Sequence, residues 1–389
     1  MATPRAATAT ATPVPADDAL LIHKGSGYSE ALTWYLYPES GGGLAYIQVA
    51  YSQVGYLRFA IRILAMIPTA ETFIVSLSPI AQITAYVSTP TTTYFRSENH
   101  GGTALFLNDG GTGASGFSCG KGSSKITVTR TRINGDDVQY TITLALHDLA
   151  GTYTFTQPAG AMVRVNDGTV PVLNGAYLAQ AYGLRAAVTG TLQIQGKDVA
   201  VAGRGALVHQ YQSTAPYKLG AQWGFLAYQG AECAILSISG TTPTGAPFGT
   251  LAIDVKGKRY AASTVAFRID ASEVDPESKY AVATRGVVTA TATADGGDTV
   301  EVEARFAMDK RHVRRINVLS ELPWLLRKAI QVLVSKPYVY QHVVGHGAQD
   351  VGETIEVVVK KGGEEVVREK DGTALVEVTY TNPISGSQA

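Results

Sequence analysis

Cysteine is nearly missing from this chain: Cys119 and Cys233 are the only two among 389 residues. They are far apart and form no CxxC spacing, which excludes a disulfide framework and a thiol-based metal or redox motif. Two unrelated, reduced thiols are expected. An excess of either charge is missing too, since 32 Lys and Arg balance 32 Asp and Glu. A neutral chain has no long-range field to gather nucleic acid or an anionic surface, so nucleic acid is excluded as a partner. No run approaches the ~20 apolar residues of a membrane-spanning helix. No apolar h-region marks a secretory signal, and the expectation is a soluble, cytoplasmic protein.

Catalytic signatures are equally scarce. HExxH and GxxxxGK[ST] do not occur. Gly116-Phe117-Ser118-Cys119-Gly120 fits GxSxG, and Gly111, Gly113 and Gly116 fit GxGxxG. Neither has the strand-to-helix context its chemistry needs, so these read as loop glycines. His342 and His346 are four apart, but the strand-like Val343-Val344 and the turn at Gly345 separate them, and a metal needs further ligands. No metal and no cofactor are expected.

What the chain does have is alternation. Residues 44–53 place Ala45, Ile47, Val49, Tyr51 and Gln53 on one strand face. Residues 125–132, 139–146, 151–156, 190–195, 249–255, 261–269, 286–294, 299–307 and 354–360 alternate likewise. Turn signals such as Asn134-Gly135, Asn166-Asp167-Gly168, Lys256-Gly257 and Gly296-Gly297 punctuate them. The fold class is therefore all-β, built as sandwiches or barrels. Length suggests two domains. The Ala/Thr/Pro-rich residues 1–24 read as a disordered tail, 25–172 as a first domain and 173–389 as a second. Residues 101–124, rich in Gly and Ser, read as a long loop.

One segment departs from the pattern. Residues 320–335 carry Leu322, Leu325, Leu326, Ala329, Ile330 and Leu333 at helical spacing, after the N-cap candidate Ser320. An amphipathic helix is expected there, packing on the second domain or touching a membrane surface weakly.

The stretch 203–230 concentrates polar and aromatic side chains: Arg204, His209, Gln210, Gln212, Trp223 and Tyr228. Two strand-like runs, 199–212 and 221–228, flank a proline turn and read as a strand pair that could line a cavity. His209 equally suits a core histidine bonded to a backbone carbonyl. Residues 336–342, KPYVYQH, place Tyr338, Tyr340 and His342 on one face, with Gln341 on the other and Lys336 at the start. Trp34-Tyr35-Leu36-Tyr37 gives the first domain a similar aromatic strand.

At these residues the chain resembles the fungal oxidative-stress survival factors. GRGALVHQYQSTAPYKLGAQWGFLAYQ is similar to their GRG…H…Q…P…WNF segment, and KPYVYQH to their KPY-YQ segment. LTWYLYPES…GGLAYIQVAYSQVG is similar to their first-domain opening. Gly203, Arg204, Gly205, His209, Gln212, Pro216, Trp223 and Phe225 match the first of these motifs, and Lys336, Pro337, Tyr338, Tyr340 and Gln341 the second. Gly224 stands where the family motif has Asn, and the tail has no counterpart of the family's amphipathic membrane-targeting helix.

The resemblance implies two lipocalin-like β domains. It also implies a role in oxidative-stress survival and, as in some members, ceramide movement between membranes. A similar architecture occurs in fungal Diels–Alderases, which need no cofactor. Two functions stay open beside a purely structural one. The first is binding of a lipid or other apolar small molecule, lined by Trp34, Arg204, Gln212, Trp223, Tyr228, Tyr340 and Gln341. The second is a cofactor-free pericyclase or isomerase, with His209, Gln210, Tyr338 and Lys336 polarising the substrate.

Overall fold

The computed structural model describes residues 11–13, 29–39, 43–52, 80–89, 92–108, 114–172, 175–214, 216–308, 314–317, 336–345 and 353–381. The expected helix at 320–335 lies outside them. Among the described residues, strands dominate and no helix is long and apolar enough to cross a membrane. The chain is all-β, with two curled antiparallel sheets that form two lipocalin-like domains.

In the first sheet the strands lie in the order Thr92–Gly101, Ile80–Thr89, Leu44–Ser52, Ser29–Pro38, Gly203–Gln212, Tyr177–Ile194, Leu149–Gln157, Asp137–Leu146, Ser124–Ile133, Ala114–Lys121 and Leu105–Asn108. Met162–Pro171 and Lys197–Ala200 pair with Tyr177–Ile194 as branches. Strand Ile80–Thr89 approaches Ala114–Lys121, which curls the sheet toward closure. The second sheet runs Arg314–Asn317, Tyr338–Gly345, Thr373–Tyr380, Gln222–Gln229, Cys233–Thr241, Pro247–Val255, Lys258–Ala262, Ala281–Thr293, Thr299–Ala307, Thr354–Lys361 and Glu364–Glu369. Val265–Val274 pairs with Ala281–Thr293.

Alternation sorts the side chains into three cores. Leu32, Trp34 and Leu36 point into the first barrel with Ala45, Ile47, Val49 and Leu207. Leu226, Tyr228, Ile235, Ile253, Val302 and Val376 fill the second. The opposite faces of the same strands meet between the barrels, where Tyr35, Tyr37, Tyr46 and Tyr182 pack with Phe225, Leu236, Ile238 and Leu375. Tyr35 stacks on Phe225 at 5.7 Å, and Tyr37 Oη donates to Ala227 O at 3.0 Å. Each strand at this junction is therefore buried on both faces, and burying a large apolar side chain contributes about 1.5–3 kcal/mol.

Five expectations change. The sheets part between Gln212 and Gln222, with the short helix Pro216–Leu219 in the connection, so the break read near 172 falls inside the first sheet. Strands 203–212 and 222–229 are consequently not a pair: the first bonds to Ser29–Pro38 and Tyr177–Ile194, the second to Cys233–Thr241 and Thr373–Tyr380. Residues 101–124 are largely strand. Gly116 and Gly120 there reflect close approach, because a Cβ would meet Val128 O at 2.0 Å or Ser124 O at 2.2 Å. Inside the tail read as disordered, Ala11–Pro13 pairs with Val163–Val165, and Ala11 joins the core between the barrels. Asn166-Asp167-Gly168, read as a turn, is instead a bulge within Met162–Pro171.

Candidate functional site

The GRG motif forms a close-packed seam. A Cβ on Gly203 would meet Tyr37 O at 2.3 Å, and one on Gly205 the Phe155 ring at 2.4 Å. Arg204, between them, points to the other face and donates to Gly230 O in the second sheet. Arg185 donates to the same carbonyl at 2.8 Å and to Gln229 Oε1 at 3.3 Å, and lies 3.6 Å from Asp254. Gln229 Nε2 answers with a bond to Leu184 O at 2.7 Å. Arg204 is thus part of a latch between the barrels.

The neighbouring polar residues are engaged in the same way. Gln210 accepts from Gln180 Nε2 at 3.4 Å, and Gln180 in turn accepts from Thr250 Oγ1 at 3.0 Å and from Tyr182 Oη. Gln212 accepts from Ser29 Oγ at 3.2 Å. Trp223 packs against the core between the barrels. His209 turns to the inner face of the first sheet, where its Nε2 lies 2.6 Å from Oε1 of the buried Glu30. His209 and Gln210 therefore point to opposite faces of one strand.

In the second barrel, Tyr228 Oη donates to Glu369 at 3.0 Å, and Glu369 also accepts from the Cys233 thiol at 3.1 Å. Burial pushes the Cys233 thiol and the Tyr228 phenol well up, so both stay protonated. Tyr340 Oη donates to Asp275 at 2.5 Å, and Tyr338 Oη to Glu277 at 3.1 Å. Lys336 Nζ caps the Glu277 and Ser278 carbonyls at 3.2 and 2.9 Å. Burial alone would raise Asp275. Hydrogen bonds from Tyr340, Ser278 and backbone N–H groups outweigh it and hold the carboxyl well below the usual range. Gln341 accepts from Tyr46 Oη at 3.2 Å and donates to Glu377 at 2.8 Å, again linking the barrels. Gly224 lies under the Phe267 ring, which a Cβ would meet at 2.4 Å. The family's Asn has no room here.

The four residues expected to polarise a substrate are thus not brought together. His209 and Gln210 belong to the first sheet, while Lys336 and Tyr338 share partners at the Glu277 turn of the second. A cleft of about 370 Å³ opens between the sheets beside Arg185, Glu232, Asp254, Lys256 and Arg259. Its charges answer one another: Lys256 lies 3.5 Å from Glu232, and Arg259 bonds Gly160 O. An apolar ligand has little to gain there.

The inner wall of the first barrel differs. Trp34, Tyr140 and Tyr153 are fully buried, and Trp34 Nε1, Tyr140 Oη and Tyr153 Oη have no hydrogen-bond partner among the described residues. The Trp34 and Tyr140 rings meet edge to face at 6.1 Å, with Phe117 at 6.4 Å on the indole. Tyr140 is also in register with Phe155, two residues from Tyr153 on the same face, and with Arg130 on the other side. Gln157, further along that face, leaves its Nε2 unpartnered against Gly183. Burial pushes both tyrosine phenols up; at Tyr140 the Arg130 charge opposes this in part. Of the expected ligand residues only Trp34 lies on this wall. Tyr140, Tyr153, Gln157 and Arg130 went unremarked in the sequence, although alternation within 139–146 and 151–156 already put Tyr140 and Tyr153 on inward faces.

Polar groups buried without partners among apolar side chains are rare in folded proteins and cluster at binding sites. The aligned part of the ceramide-binding protein svf1 of Schizosaccharomyces pombe is 24% identical over 261 residues, 64% of this chain and 63% of the relative. The chain thus spans less than two thirds of that relative's length. The fold is shared with CghA (TM-score 0.56, 11% identity, 96% of both chains) and with an AttH protein of Nitrosomonas europaea (0.55, 12%, 94% and 95%). Kievitone hydratase of Nectria haematococca is similar at 0.50 and 11%, over 95% and 96%. The Svf1 family model matches residues 8–382, and the chain belongs to the Svf1 family.

Proposed function

We propose that the chain binds a long-chain lipid of the ceramide class against the inner wall of the first barrel. The observation that carries this is the set of unpartnered polar atoms on Trp34, Tyr140 and Tyr153 within an otherwise apolar lining. Leaving a buried donor unsatisfied costs about 1–3 kcal/mol. A ligand that supplies acceptors recovers that loss while its chains pack against the Leu, Ile and Val side chains of the wall. Ceramide has this form: two long chains and a small amide-and-hydroxyl head. The fission-yeast relative, named for ceramide binding, supports the same class. The second barrel suits it less, because Tyr228, Tyr338 and Tyr340 already donate to carboxylates of the protein.

The test is retention. Purified protein is incubated with vesicles containing ceramide, recovered, and its lipid quantified by mass spectrometry. About one ceramide per chain is expected. If no long-chain lipid is held above a β-barrel control protein, lipid binding is rejected.

A further inference from the structure

Four tyrosines of the second barrel close into a ring of contacts. Tyr280 stacks on Tyr380 at 4.7 Å, and Tyr380 meets Tyr340 edge to face at 5.9 Å. Tyr340 stacks on Tyr338 at 6.3 Å, and Tyr338 returns to Tyr280 edge to face at 6.2 Å. We propose that this ring is a one-electron redox site oxidised by peroxyl radicals, in which Tyr338 holds the radical and Glu277 takes its proton. The proposal does not depend on lipid binding in the first barrel. Tyr338, Tyr340 and Tyr380 are buried, whereas Tyr280 is half-buried and gives an oxidant its point of entry. Rings in contact let the electron vacancy pass inward from there.

The hydroxyl partners decide where the radical rests. A phenol that has lost an electron is a strong acid and must shed its proton at once. Tyr280 Oη donates to Lys336 O at 2.8 Å and Tyr380 Oη to Ala281 O at 2.6 Å, and a backbone carbonyl does not take up a proton at neutral pH. Tyr340 Oη donates to Asp275 at 2.5 Å. Against the effect of burial, hydrogen bonds hold that carboxyl well below the usual range, which makes it a weak base. Tyr338 Oη donates to Glu277 Oε1 at 3.1 Å, and Arg315 holds the other oxygen of the same carboxylate. The Glu277 side chain is 51% exposed, so a proton placed there reaches water. The step then balances. The peroxyl radical gains the electron and a proton from water and leaves as a hydroperoxide, while Tyr338 becomes a neutral phenoxyl radical and its proton passes through Glu277 to water. The O–H bond formed in the hydroperoxide is similar in strength to the phenol O–H bond broken, which suits this class of oxidant. A reductant of the ascorbate or thiol class returns the electron and a proton and restores the phenol.

The full chain is exposed to peroxyl radicals from a water-soluble azo initiator, frozen at intervals and read by electron paramagnetic resonance. A neutral tyrosyl signal is expected, which added ascorbate discharges. Tyr338→Phe keeps the ring and so the packing, and should remove most of the early signal. Glu277→Gln keeps a hydrogen-bond acceptor for the Tyr338 hydroxyl but no base, and should slow the appearance of the signal at least about 10-fold. Equal signals at equal rates in both variants place the radical on other tyrosines and overturn the proposal. So does the absence of a tyrosyl signal from the unaltered chain. A signal lost in Tyr338→Phe but unslowed in Glu277→Gln overturns the role of Glu277 and supports the radical site.

Discussion

Tyr140 and Trp34 meet edge to face inside the first barrel, ring centroids 6.1 Å apart and planes at 68°, with neither polar atom partnered among the described residues. The contact stabilises both rings by about 0.5–1.5 kcal/mol beyond their burial. It also holds in place two hydrogen-bond donors that find no partner among the described residues. Under the proposed lipid binding, stability and binding are set against each other at this wall.

That opposition has a measurable sign at Tyr153. Tyr153→Phe removes a hydroxyl that has no partner and keeps the ring. The variant should unfold about 1 kcal/mol harder in urea without lipid. In the presence of ceramide the order should reverse, because the unaltered protein gains the larger stabilisation from its ligand. A variant less stable than the parent without lipid would mean that the hydroxyl is satisfied within the fold.

Much of this wall was readable, in part. Alternation put Ala45, Ile47 and Val49 on one face, which the structure turns inward, because period two is a local property of the chain; residues 34–37 read as an aromatic strand with no face assigned. Sheet membership is not local. Residues 203–212 and 222–229 sit next to each other in sequence, yet each pairs with strands far away, so reading them as a pair failed. The same limit hid the site. Tyr140 and Tyr153 looked like ordinary strand tyrosines, and only the strands folded opposite decide whether a hydroxyl finds a partner. Conversely, Tyr228, Tyr340 and Gln341 stood out in a family motif, and their partners Glu369, Asp275 and Glu377 show them bracing the second barrel and the junction.

His209 belongs with the bracing residues. Its Nε2 meets Oε1 of Glu30, which is 2% exposed. His209→Leu leaves that carboxylate without its imidazole in an apolar wall and should lower the unfolding free energy by about 2 kcal/mol. The urea midpoint checks this. An unchanged midpoint together with lost ligand binding would instead make His209 a ligand contact.

Asp275 gathers Tyr340 Oη at 2.5 Å, Arg315 at 3.0 Å and the N–H groups of Glu277 and Ser278 at 3.2 Å. Its folded pKa lies below the ordinary carboxylate value. The ionised form is therefore favoured by folding, and its stabilisation is complete above about pH 4 and lost as pH falls through the folded value. Asp275→Asn should cost on the order of 3 kcal/mol at neutral pH, with the gap narrowing below pH 4. Thermal melts of both proteins from neutral to acid pH measure it. A gap that stays constant in acid would place the loss in packing and remove charge from the account.

Glu377, at the junction of the barrels, should behave with the opposite sign. Burial pushes its carboxyl above the ordinary value, and the bonds from Gln341 and Thr379 offset this only in part. The folded state then holds its proton to higher pH than the unfolded chain does. Stability from this group is present below the ordinary carboxylate pKa and declines as pH rises from there through the folded value. Glu377→Gln keeps an acceptor for Gln341 Nε2, now 2.8 Å from Glu377 Oε2, and has no charge to bury. The variant should match the parent in acid and melt higher at neutral pH. A parent that outlasts Glu377→Gln at neutral pH would show that the carboxylate is stabilised by a cation across the junction. The nearby Arg314, packed on the Phe95 ring with its own pKa lowered by burial to about 10, would be the first residue to exchange in that case.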